Sequence, residues 1–152
     1  MKYKLTDEFI EVAGKNLYRI QALKDFGIVR KGDLGGYVES EKNLSQVGEA
    51  WVSDSAVVSG SALVYGSARV CGSAWVSKKA KNSPLFLAGG KLPHEMTVTD
   101  NHIRVGCEVH TLKKWKKNGI SIIRANGHSK EDANRWLKVI LTLGAMHMES
   151  IK

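Results

Sequence analysis

Between Gln46 and Lys81 the chain repeats every six residues, and that period limits its fold more than any other property. Ala50, Ala56, Ala62, Ala68, Ala74 and Ala80 keep the step without a slip. Val52, Val58, Val64, Val70 and Val76 follow two residues behind each alanine, and Gly48, Asp54, Gly60, Gly66 and Gly72 hold a turn position two residues ahead. Such a period fits neither an α-helix nor a hairpin. It fits a parallel stack in which one short strand and one turn recur per unit. Alanine and valine two apart point to one face of a strand, so that face is the expected interior. If three hexads close one coil, Val52 sits under Val70 and Val58 under Val76.

The alternate positions then face outward. Among them Trp51, Val57, Leu63, Tyr65 and Trp75 make a wall too apolar for water. Burying each large aromatic is worth roughly 2–3 kcal/mol, so the wall is expected to be covered. Either the C-terminal module folds over it, or copies of the chain pack side by side. Two coils are too short to be stable alone, so the expected state is a homotrimer with these five residues at its interface.

Ahead of the repeat, Tyr3–Val12 and Leu17–Leu23 read as two strands around the turn Ala13-Gly14-Lys15-Asn16. Gly35 and Gly36 are expected to supply backbone angles that side chains forbid. Residues 1–45 form the expected strand-rich cap, residues 46–83 the repeat, and residues 84–152 a separate basic α+β module.

The run from Arg19 to Val52, with Ala22-Leu23-Lys24-Asp25-Phe26, Gly32-Asp33-Leu34-Gly35-Gly36 and Asn43-Leu44-Ser45-Gln46, resembles the opening of a family of bacterial and phage hexapeptide-repeat proteins. Members are often labelled as transferases or as polymer-forming cytoskeletal-like proteins. The resemblance covers residues 1–80. It implies a short left-handed parallel β-helix, and the expected fold class is mainly β with a C-terminal α/β module. The block Gly106–Trp115, after Val98–Val105, is similar to a C-terminal module of the phage members. A phage or prophage context follows from that similarity.

Elsewhere the chain gives fewer constraints. No apolar run approaches the ~20 residues that span a bilayer, and the opening Met1–Phe9 lacks the apolar core of a signal peptide. Cys71 and Cys107 stand far apart, which argues against a disulfide framework and for a reducing cytoplasm. The formal charge is +8, and residues 84–152 carry a net +5 of it. An anionic partner would be steered there.

In that module Met96–Thr99 and His102–Val105 read as a hairpin. Thr111 caps a short helix expected to stop at Asn118-Gly119, followed by a strand at 120–123. Ser129 caps a second helix running to about Met148. Lys113, Lys114, Lys116 and Lys117 surround Trp115 on the first helix. With Arg124, Arg135 and Lys138 they are the candidate contacts for an anionic ligand or partner, although a solvated face with Trp115 in the core is the simpler reading. Cys107 and His110 form a C-x-x-H pair, too few ligands for a metal site on their own. Without a function, Cys107 is expected to be buried at a strand end.

The hexapeptide resemblance also raises acyl transfer, which needs a histidine base. All five histidines fall beyond residue 93, outside the repeat. The reading preferred over acyl transfer, and over a nucleic-acid-binding accessory role, is a non-enzymatic oligomeric binding protein without a cofactor. A counter-defence use is expected for it, against a host immune effector or an anionic nucleotide signal.

Overall fold

A computed structural model describes residues 1–87 and 92–152. The chain divides into two compact units, Met1–Pro84 and Leu85–Lys152. The expected cap and repeat both lie in the first. Within the link read at Leu85–Pro93, Leu85–Leu87 is a strand, and 88–91 lie outside the described residues. No helix among the described residues is long and apolar enough to cross a membrane.

The first unit opens with an antiparallel hairpin of β1 (Tyr3–Val12) and β2 (Lys15–Ala22). Its turn is Ala13-Gly14, both at positive φ (51° and 75°), the geometry a two-residue hairpin turn requires. Strand β3 (Leu34–Val38) pairs antiparallel with β2. Two-residue strands follow: β4 (Trp51–Val52), β5 (Val57–Val58), β6 (Arg69–Val70) and β7 (Trp75–Val76). The pairing is parallel for β3 with β5, β5 with β7 and β4 with β6.

These pairings overturn the expected fold class. In place of a short left-handed parallel β-helix under a separate cap, the unit has a mixed five-stranded sheet, β1-β2-β3-β5-β7, and a two-stranded parallel sheet, β4-β6. The reason lies in β3. One edge takes an antiparallel partner from the hairpin and the other a parallel partner from the repeat, so supposed cap and repeat share one sheet.

Within those sheets Val52 pairs with Val70 and Val58 with Val76, eighteen residues apart. All six repeat alanines and all five valines are buried, none more than 2% exposed. The turn position demands a left-handed backbone. Gly48, Gly60, Gly66 and Gly72 have φ between 64° and 77°, and Asp54 adopts 57° in their place. The Asp54 carboxylate accepts a hydrogen bond from the Gly72 amide (2.9 Å), as Glu39 does from Gly60 (2.6 Å).

Gly35 and Gly36 have another role than the one expected. They lie in the extended strand β3, outside the positive-φ set. A Cβ on Gly35 would stand 2.5 Å from the Val52 carbonyl oxygen, and one on Gly36 2.5 Å from that of Ala56. Close approach of backbones requires them, not a special angle.

The start of the chain is also built into this core. Lys2 is 1% exposed, its Nζ donates to the Ala50 carbonyl (2.7 Å), and it lies 5.0 Å from the Phe26 ring centre. Burial, then repulsion from Lys24 and Arg69, pulls its pKa down to about 8. The Tyr3 hydroxyl donates to the carbonyls of Leu44 (2.7 Å) and Glu41 (3.0 Å), and burial, then the Glu41 charge, pushes its pKa up to about 12.

In the second unit β8 (Leu85–Leu87), β9 (Met96–Val98), β10 (His102–Val105) and β11 (Glu108–Thr111) form an antiparallel sheet in the order β11-β10-β9-β8. Helices α1 (Leu112–Ala125) and α2 (Lys130–Ser150) complete it. Thr111 and Ser129 cap them as expected, accepting from the amides of Lys114 and Asp132. The expected stop at Asn118-Gly119 and the strand at 120–123 are both corrected, since α1 runs through them. Gly119 is buried, and a methyl there would overlap the Leu137 side chain of α2. Its lack of a side chain serves helix–helix packing instead of ending the helix.

Two outcomes test this packing. Gly36→Ala should destabilise the first unit by about 2 kcal/mol or more, since the Ala56 carbonyl it would strike is tied to the Tyr37 amide (2.9 Å). Urea unfolding measures it, and exposed Ser61→Ala should be neutral. The second outcome concerns pH. Between about 8 and 10.5 the unfolded chain keeps the Lys2 proton that the folded chain has released, so stability rises with pH. Between about 10 and 12 the unfolded chain loses the Tyr3 proton that the folded chain retains, so stability falls. Denaturant titrations should show a gain of about 2 kcal/mol from pH 8 to 10 that Lys2→Met abolishes.

Candidate functional site

The expected interface residues do not share one wall. Trp51 pairs with Arg69, Val57 pairs with Trp75, and Leu63 and Tyr65 flank Val64, which bridges to Leu44 and Ala80. Trp51 is corrected outright. It is 5% exposed and packs edge-on against Phe26 (5.4 Å between ring centres) and Tyr3 (6.5 Å). The chain's own N-terminal segment covers it. Val57, Leu63, Tyr65 and Trp75 are half-buried, and the Trp75 indole N–H donates to the Ser59 hydroxyl (3.0 Å).

The candidate cations all lie in the second unit and are exposed. On α1, Lys113, Lys117 and Arg124 fall at i, i+4 and i+11, within about 40° of one another around the helix. Lys114 and Lys116 flank that stripe. Trp115 lies about half a turn round, 1% exposed, with its indole N–H donating to the Ile103 carbonyl (3.0 Å). The tryptophan thus anchors α1 to β10 and turns the lysines outward. None of the four lysines forms an ion pair with a described residue. On α2, Arg135 is bonded to Asp132, and Lys138 is also exposed.

Among the described residues no hydrogen bond joins Cys107 to His110. Cys107 is exposed, in the turn after Gly106 (φ 57°), which corrects the expected burial. His110 lies on β11, and its Nε2 stands 2.7 Å from Glu108 Oε2. The other carboxylate oxygen of Glu108 accepts from Asn126 Nδ2 (3.1 Å). The Asn126 and His110 hydrogen bonds hold that carboxyl below its usual range. Among the described residues no three His, Cys, Asp or Glu side chains could hold a metal ion.

The second unit contains a cavity of about 250 Å³ that the sequence did not announce. Buried Val105, Trp115, Ile123, Trp136 and Ile140 form its floor. More exposed His94, Cys107, Glu108, Asn126 and His128 form its rim. The His128 ring meets Trp136 edge-on at 4.6 Å and His94 at 5.8 Å. The rim comes from a turn before β9, the β10–β11 turn, β11 and the link between helices, so no single motif encodes it.

Comparison with protein-family models finds no matching family. Comparison with curated proteins finds no matching relative.

Proposed function

We propose that this chain is a non-catalytic binding protein whose α1 helix presents a cationic stripe to an anionic partner. The observation that supports this reading is the outward stripe of Lys113, Lys117 and Arg124, flanked by Lys114 and Lys116 and backed by the buried Trp115 anchor. An exposed lysine without a protein counter-ion is hydrated at no cost to the fold and can exchange that hydration for phosphate or carboxylate. The first unit then serves as scaffold. The counter-defence use implied by the resemblance would place a host immune effector or an anionic nucleotide signal at this stripe.

Self-association belongs to the same reading, now resting on Val57 and Trp75 without Trp51. Light scattering should give three times the chain mass, and a stable monomer at all concentrations would remove this part of the proposal. For the stripe itself, a fluorescein-labelled oligoadenylate serves as the probe in anisotropy titrations. Its affinity should fall with salt with a slope of about −2 on logarithmic axes, as for three phosphate contacts on a single strand. The triple variant Lys113→Glu, Lys117→Glu, Arg124→Glu should lose at least about tenfold in affinity while keeping its unfolding midpoint. The double variant Arg135→Glu, Lys138→Glu should lose less. Affinity that ignores both salt and the triple reversal would contradict the proposal.

A further inference from the structure

We propose that the cavity of the second unit is a binding site for a flat aromatic molecule carrying an amino or ammonium group. This site is distinct from the lysine stripe and does not depend on it. Size comes first. An apolar cavity of ~150 Å³ accommodates benzene, so about 250 Å³ has room for a bicyclic ring with a short side chain.

The walls supply the second argument. Trp115 and Trp136 offer aromatic surface, and His128 stands edge-on to Trp136. Stacked or edge-on rings are the favourable neighbours for another flat ring. Such walls also attract a cation placed over their faces.

The rim sets the sign of the polar end. Apart from its histidines, Glu108 is the one charged lining side chain among the described residues. Asn126 and His110 each occupy one carboxylate oxygen and leave each a second lone pair. An N–H donor or ammonium entering the mouth meets an ionised, pre-oriented acceptor, whereas an anion meets a like charge beside apolar walls. Lys114 adds positive potential near Glu108 but does not line the cavity.

Three probes test this on the full chain: tryptamine, neutral indole and indole-3-acetate. Nitrogen–proton NMR spectra follow the indole N–H signals of Trp115 and Trp136 and the Asn126 side chain. Tryptamine should shift these signals most and indole less, while indole-3-acetate should leave them unmoved. Glu108→Gln should weaken tryptamine about tenfold and leave indole unchanged, since it removes the charge but keeps the shape. A second arm needs no substitution in the site. In a Cys71→Ser background, alkylation of Cys107 with N-ethylmaleimide should block tryptamine, and bound tryptamine should slow the alkylation. Three results would overturn the proposal: no shift at the cavity signals with millimolar tryptamine, indole-3-acetate binding as well as tryptamine, or tryptamine binding untouched by both Glu108→Gln and Cys107 alkylation.

Discussion

A strand of two residues cannot persist alone, and the first unit is organised around that constraint. Each short strand must find backbone partners across its edges, and these lie about eighteen residues away. The amides of Trp51, Ser53, Val57 and Ser59 donate to the carbonyls of Ala68, Val70, Ala74 and Val76 at 2.8–3.1 Å. Neighbouring strands stand about 4.8 Å apart, so side chains on one face stack directly on one another. Alanine and valine fill that spacing without strain, and at the six alanine and five valine positions that keep the six-residue step every side chain is buried. The same tightness excludes any side chain at Gly35 and Gly36, where β3 runs against the carbonyls of Val52 and Ala56.

The hairpin gives the stack its start. Strand β3 carries β2 on one edge and β5 on the other, so an antiparallel element templates a parallel one. Lys2 and Tyr3 tie the hairpin to carbonyls at Ala50, Gly48, Leu44 and Glu41. Those ties also explain Trp51. A side chain that alternation alone assigns to solvent is covered by Tyr3 and Phe26, residues too distant in the chain for any local pattern to reveal.

What the sequence discloses divides along the same line between local and distant causes. The Ala–Val spacing, the left-handed turn residues and the caps Thr111 and Ser129 are local, and each was legible. The fold class was not, because the period of six fixes how hexads pair but says nothing of β3 joining them to a hairpin. Gly119 misled for a similar reason. A glycine after asparagine is a helix stop by local rules, but here the approach of α2 requires it inside α1. Of the site, the lysines were legible as a charge run, and only Trp115 decides which way they face. The cavity was hidden because its rim gathers His94, Glu108, Asn126 and His128 from separate segments.

The eighteen-residue parallel register is the claim on which the buried Ala–Val face depends. Scalar couplings transmitted through backbone hydrogen bonds, measured by NMR on uniformly labelled protein, report donor and acceptor residues directly. The account requires couplings from the Ser53 amide to the Val70 carbonyl and from the Val57 amide to the Ala74 carbonyl. Couplings that instead join these amides to carbonyls of an adjacent hexad, as in a meander of hairpins, would contradict it.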